Sequence, residues 1–279
     1  MIEQRVGAIT FTLRDAFDFA FLDAYGIPFA VFDQQDSGNL CFGVEGKNGR
    51  VFLKTAGPST VRSLVTPDDA VRRLQSTATL YEALRHSSLT PMLAHHAIPG
   101  GYLIAHEWFD GVSLGRQYGG DALLRKLSFE ERHGIFDTAL AFHRHVHALG
   151  YVAIDFYDGS LMYAPRTRTT MICDIEFYRK APAVNDMGRM WGSERFMSPE
   201  EHALGAPIDA VTNIYCMGAM AFHLFGGSAD HARTLWQDTD AAYRVAQKAT
   251  SPERKDRYPS IERLMEAWQN AHIDRFTKK

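Results

Sequence analysis

Two β-prone runs flank a basic turn near the middle of this chain, and an aspartate stands at the outer end of each. Ala153-Ile154-Asp155-Phe156-Tyr157-Asp158-Gly159-Ser160 leads into Leu161-Met162-Tyr163. After the turn at Pro165 to Arg168, Met171-Ile172-Cys173 runs into Asp174-Ile175-Glu176. Strands joined by such a hairpin bring Asp155 and Asp174 to neighbouring loop ends. Two carboxylates at one mouth can divide labour: one accepts a hydrogen bond or proton from a nucleophile, and the other holds a cation. Aspartates also favour turns for local reasons, so what surrounds this pair decides what it does.

The chain has 279 residues, enough for one large domain or two small lobes. Its hydrophobic share of 46% supplies ample core, and its net charge of -3 provides no basic field to recruit nucleic acid or an anionic membrane. Cys41, Cys173 and Cys216 are far apart and lie in apolar contexts, which predicts buried thiols in a reducing, cytoplasmic setting and no cysteine zinc site. The first residues lack the basic start and unbroken apolar run of a signal peptide. The apolar stretch from Phe17 to Phe32 is interrupted by Asp18, Asp23 and Pro28, which argues against a membrane span.

In the first part of the chain, Leu13, Phe17, Ala20, Phe21 and Tyr25 fall near helical spacing and predict an amphipathic helix stopped by Gly26 and Pro28. Phe29 to Phe32, Leu40 to Val44 and Arg50 to Lys54 read as three antiparallel strands, with Lys47-Asn48-Gly49 as a hairpin turn. Thr66-Pro67-Asp68-Asp69 is a helix start, and that helix should run to about Arg85. Tyr102 to Glu107 is a strand entering a polar turn.

Ser128-Phe129-Glu130-Glu131 caps a second helix reaching about Leu149, ended by Gly150. His143 and His147 lie one turn apart on it. With no intervening H-E-x-x-H glutamate and a largely buried helix, satisfied or exposed histidines are the favoured reading over a metal site.

Taken in order, these segments resemble the eukaryotic-type Ser/Thr protein kinases, and the chain is similar to a divergent bacterial-type member of that group from about Phe29 to Trp268. Lys54 stands where the family has the lysine of V-A-I-K. Asp155 and Ser160 stand at the Asp and Asn of H-R-D-L-x-x-x-N, and Asp174 stands at the Asp of D-F-G. Gly192-Ser193-Glu194-Arg195-Phe196-Met197-Ser198-Pro199-Glu200 resembles G-T-x-x-Y-M-A-P-E. Asp209 to Gly218 resembles D-x-x-x-D-I-Y-S-x-G, and Arg257 in the Ser251 to Ser260 element matches the arginine that pairs with the glutamate of A-P-E.

The resemblance implies an α+β, bilobal protein kinase-like fold. An antiparallel β lobe with one helix would span residues 1–105, and a mainly helical lobe would span 106–279. It implies an ATP- and Mg²⁺-dependent phosphotransferase acting on a protein hydroxyl, with Mn²⁺ as an alternative ion. Lys54 and Gly38 would meet the phosphates, and the backbone of Glu107, Trp108 and Phe109 would meet the adenine. Asp155 would take the acceptor proton, and Asp174 and Ser160 would hold metal, with Asp158 helping through a water.

The chain also departs from the family. Of the G-x-G-x-x-G positions only Gly38 fits, with Asp33 and Gln35 at the others. Ala153-Ile154 replaces His-Arg, which implies activity independent of activation-loop phosphorylation. Tyr157 replaces a commonly basic residue. Thr77 falls at the position of the helix glutamate, with Glu82 a turn further on. Asn213 replaces an aspartate, and because an amide oxygen accepts on one side only, it predicts a weaker anchor for the catalytic loop. These departures keep two other readings open: a pseudokinase that presents a nucleotide- or protein-binding surface, and a kinase of small molecules.

Overall fold

The computed structural model describes residues 1–34, 36–226 and 231–272. It is a mixed α+β structure with antiparallel sheets. Its contacts divide into two compact units: Met1–Arg85 with Thr90–Asp110, and His86–Leu89 with Gly111–Lys279. Among the described residues no helix is long and apolar enough to cross a membrane.

The first unit opens with a hairpin of β1 (Ile2–Val6) and β2 (Ile9–Leu13). Next come β3 (Ile27–Phe32), β4 (Asn39–Gly46), β5 (Gly49–Ala56), helix α1 (Pro67–Ala83), β6 (Met92–Ile98) and β7 (Gly101–Glu107). The five later strands form one antiparallel sheet in the order β3-β4-β5-β7-β6. Strand side chains alternate between faces, and the two faces here bury different partners. Leu40, Phe42, Leu53 and Leu103 pack with Phe11 and Phe19 from the N-terminal segment. On the other face Ala56 and Ile104 pack with Ala70, Leu74 and Ala78 of α1. Thr66 caps α1, its hydroxyl accepting the Asp69 N–H at 3.2 Å.

The helix predicted over Leu13 to Tyr25 does not form. Ile9 to Leu13 is a strand, and only a 3-10 turn, Ala20–Ala24, follows. The apolar residues in this stretch serve two elements: Phe11 and Leu13 alternate inward along β2, while Phe19 and Leu22 reach the same core from an irregular segment. Period-3.6 spacing across their junction was a coincidence of that splice.

The second unit continues with β8 (Val112–Ser113), α2 (Gly120–Leu124), α3 (Phe129–Ala148), β9 (Tyr151–Val152), β10 (Leu161–Ala164) and β11 (Thr169–Ile172). It ends with β12 (Arg179–Lys180), β13 (Ala183–Val184), β14 (Pro207–Ile208), α4 (Ala210–Gly226), α5 (Asp240–Ala249) and α6 (Ile261–Asn270). A full capping box starts α3: Ser128 Oγ accepts the Glu131 N–H, and Glu131 returns a carboxylate oxygen to the Ser128 N–H. Helix α4 is apolar nearly all round and runs through the core of this unit. Strands β10 and β11 pair around the Pro165 to Arg168 turn as predicted, Leu161 opposite Ile172. Cys41 and Cys216 are buried, and Cys173 is half-buried rather than sealed, because it lies at the loop end of β11.

Candidate active site

In the second unit the loop after β9 is held from beneath. Val152 and Ile154 are buried with Met190, Met197 and Ile208. Between them, Ala153 is clasped by Asn213 of α4. Its N–H donates to Asn213 Oδ1 at 2.8 Å, and its carbonyl accepts from Asn213 Nδ2 at 2.6 Å. The same Oδ1 also lies 2.9 Å from His147 Nε2. The expectation of a weak anchor is therefore overturned. The amide gives up one acceptor but supplies a donor, and the loop presents a carbonyl to receive it.

Beyond this clasp Asp155 adopts φ 60, and Asp174, just past β11, also adopts φ 60. A left-handed conformation in a residue other than glycine is uncommon and is tolerated best by Asn and Asp. Here it is imposed by pinned neighbours. Phe156 is buried and its carbonyl accepts Cys216 S–H at 3.1 Å; Cys173 N–H donates to the Ser160 carbonyl at 2.9 Å. The second bond links the end of β11 directly to the loop that follows Asp155. The Tyr157 phenol is pushed up first by burial and then by the negative charges of Asp174 and Asp155, so both carboxylates lie within electrostatic reach of one ring.

Ser160 is fully buried, and its Oγ accepts the Tyr157 N–H in a long 3.4 Å contact. The resemblance gives Asp158 a water-mediated role at the metal. Its side chain is fully buried, bonded to Arg195 at 2.8 Å, with His223 Nε2 3.6 Å away. It therefore ties the segment before Ser198-Pro199-Glu200 to the loop after Asp155.

That segment is itself braced. Arg257 forks onto Glu200 with N–O distances of 2.7 and 2.9 Å, both side chains being buried. Arg254 adds a bond to the same carboxylate at 2.6 Å and a two-oxygen grip on Asp209. Glu201 accepts from the N–H and the hydroxyl of Ser198, yet burial dominates and pushes its carboxyl up to about 7. Asp155, Glu201, Asn213 and Cys216 share the wall of one small pocket.

Of the α3 histidines, His143 is satisfied on both ring nitrogens and His147 on one, while His147 Nδ1 and His145 Nε2 are buried with no hydrogen-bond partner among the described residues. His143 Nδ1–H donates to the Ala139 carbonyl at 2.7 Å, and Nε2 faces the Tyr178 hydroxyl at 3.2 Å. His147 is engaged with Asn213.

In the first unit, Lys54 lies on β5 opposite Cys41 of β4 and Ile104 of β7, half-buried. Because Ile104 and Ala56 pack on α1, the register puts Lys54 on the α1 face of the sheet. The buried residues of that helix are Ala70, Leu74, Thr77, Ala78 and Tyr81, with no acid among them. Thr77 directs its hydroxyl to the Arg73 carbonyl, and Glu82 is exposed, 3.3 Å from His95.

Gly38 is left-handed (φ 85), and a Cβ there would stand 3.1 Å from Ala70 of α1. Packing against the helix therefore accounts for a glycine at this position. Gln35 lies outside the described residues. Glu107 N–H is engaged by the Pro91 carbonyl at 3.0 Å, and Trp108 N–H by the Arg50 carbonyl at 3.3 Å. An adenine at this segment would have to be met by carbonyls or by the Phe109 N–H.

A cluster of rings on this sheet gave no sequence signal. The Phe29 and Trp108 rings meet edge to face at 4.9 Å over Gly43, where a Cβ would fall within 2.9 Å of both. Phe32 and Phe52 lie beside each other at 5.7 Å. The bulge between Pro28 and Ala30 interrupts the strand alternation at Phe29, so a pattern read at period two could not find this. Arg254 and Arg195 were also missed: each sits inside a recognised segment but at a position to which the resemblance assigned no role.

No protein-family model matches the chain, and no curated protein matches it.

Proposed function

We propose that this chain is an ATP-dependent phosphotransferase of the Ser/Thr protein kinase type, with a bilobal protein kinase-like fold, acting on a protein hydroxyl. The observation that carries this reading is the pair Asp155 and Asp174. Both are half-exposed, both are held at φ 60 by pinned neighbours, and both bear on Tyr157. A sheet with one helix on its Lys54 face and a mainly helical second unit also support it.

Asp155 would accept the proton of the acceptor hydroxyl as its oxygen bonds to the γ-phosphorus and the bond to the β-phosphate oxygen breaks. Lys54 would neutralise phosphate charge. Asp174 is a hard oxygen donor of the kind Mg²⁺ or Mn²⁺ takes, and it fits such an ion; Ser160, sealed in its turn, fits less well. When bound, the ion would spread the charge of the transferring phosphoryl group. The Asn213 clasp would keep Asp155 from drifting, and the Asp158–Arg195 pair would hold the acceptor-side segment in register.

A second reading, a pseudokinase used for binding, is favoured by the four rings Phe29, Phe32, Phe52 and Trp108. They crowd the part of the sheet where the first reading would have a purine.

Thermal shift with ATP, with and without Mg²⁺ or Mn²⁺, separates the two readings. Metal-dependent stabilisation by ATP is expected of the phosphotransferase, and none of the binding module. If nucleotide binds, phosphoryl transfer should be lost in Asp155→Asn; equal transfer in both proteins would remove Asp155 from catalysis.

A further inference from the structure

A second cluster of ionisable groups lies elsewhere in the second unit, where α3, the residues before α5 and the end of α6 meet. Its centre is Asp238, whose side chain is fully buried. One oxygen of that carboxylate, Oδ2, faces two imidazoles: His133 Nε2 at 3.1 Å and His272 Nε2 at 2.8 Å. The other oxygen, Oδ1, accepts the Thr239 N–H, which fixes the plane of the group. Both histidines are largely buried, and the rings of Phe129, Phe225 and Trp268 pack on His133.

The tautomer of His272 is decided by its other nitrogen. His272 Nδ1 lies 2.7 Å from the Trp268 carbonyl, which can only accept, so Nδ1 carries a hydrogen. In a neutral ring Nε2 is then a lone pair aimed at a carboxylate oxygen 2.8 Å away. That arrangement is repulsive unless a cation lies between them, either a proton or a metal ion. A ring N–H given to a backbone carbonyl, leaving the opposite nitrogen for a ligand, is also how metal-binding histidines are oriented.

The spacing suits a metal. Donors around a tetrahedral zinc with bonds near 2.0–2.1 Å stand about 3.3 Å apart. Here the donor atoms of His133, Asp238 and His272 all lie within 4.8 Å of one another. A slight expansion from 2.8 and 3.1 Å makes room. A water can complete the shell, as it does at zinc sites with three protein ligands. Two imidazoles and a carboxylate form a borderline donor set that suits Zn²⁺ far better than Mg²⁺ or Ca²⁺.

We propose that His133, Asp238 and His272 form a zinc site that fastens the C-terminal end of α6 to α3 and to the residues ahead of α5. It is independent of the phosphotransferase reading, since none of its ligands belongs to that site. Its role is structural: the ion ties three stretches that are remote in sequence, and the coordinating atoms are walled by aromatic rings.

The test uses the full-length chain without an affinity tag, stripped with EDTA, incubated with ZnCl2 and desalted. Elemental analysis should find about one zinc per chain, and the melting temperature should rise by several degrees over the stripped protein. Co²⁺ in place of zinc should give the visible absorption of a tetrahedral site. His133→Gln removes the most accessible ligand and should cut zinc affinity at least about tenfold, while circular dichroism stays that of the wild type. The control is Glu82→Gln, a change in the first unit, which should retain zinc. A stripped wild type that neither retains zinc nor gains stability overturns the proposal and leaves an Asp238–imidazolium ion pair only. Full zinc retention by His133→Gln would equally overturn it.

Discussion

Asn213 grips Ala153 at both its amide and its carbonyl, at 2.8 and 2.6 Å, two residues before Asp155. This side chain therefore connects the buried helix α4 to the backbone that aims the candidate catalytic carboxylate. Asn213→Asp should weaken the grip, because a second carboxylate oxygen would then face the Ala153 carbonyl. Urea denaturation should show a loss of about 1–3 kcal/mol. Phosphoryl transfer, where measurable, should fall more than nucleotide binding. Unchanged stability in Asn213→Asp would show that the anchor tolerates the acid.

Glu201 gives a pH dependence near neutrality. Its folded carboxyl is raised to about 7 from the ordinary 4.5, chiefly by burial. The folded state thus holds a proton that the unfolded state has released, and stability falls as pH rises from about 4.5 to 7. The total effect is up to roughly 3 kcal/mol. Glu201→Gln keeps the shape and removes the titration, so its stability should be flatter across that window. Parallel pH profiles for the two proteins would count against this.

His143 acts in the opposite direction. Burial lowers its pKa from 6.5 to about 3, and its two hydrogen bonds suit the neutral ring. Its contribution is complete above pH 6.5 and is lost as pH falls toward 3, on the order of 4 kcal/mol at the acid end. Acid unfolding followed by circular dichroism should therefore be shifted to lower pH in His143→Gln, relative to the stability of each protein at pH 7.

The Arg257–Glu200 fork is buried, with side-chain exposures of 0% and 4%. Removing one partner leaves the other charge in a poorly solvated site. Arg257→Ala should cost about 3–5 kcal/mol, partly relieved because Arg254 also reaches Glu200. Arg257→Lys keeps the charge but not the fork and should fall between the two. Chemical denaturation of the three proteins gives the ranking; an Arg257→Ala protein as stable as the wild type would mean that Arg254 alone suffices.

Local chemistry explains what could be read in advance. The Thr66 and Ser128 caps, the Lys47-Asn48-Gly49 turn and the β10–β11 hairpin each depend on a few adjacent residues, and the structure has all of them. The N-terminal helix failed because its spacing spanned two elements that share a core without sharing a period. The Arg257–Glu200 pair was legible only through resemblance, since 57 residues separate its members.

The sequence alone determined the Lys47-Asn48-Gly49 turn, the capped starts of α1 and α3, and the hairpin of β10 and β11. These outcomes are governed by backbone dihedrals and by hydrogen bonds within a few residues. Only the tertiary structure decided that Asn213 would donate as well as accept, that Asp158 would be buried against Arg195, and that His133 and His272 would face one oxygen of Asp238. In each case the energy depends on burial and on a partner far along the chain, and neither is written in the local residue pattern.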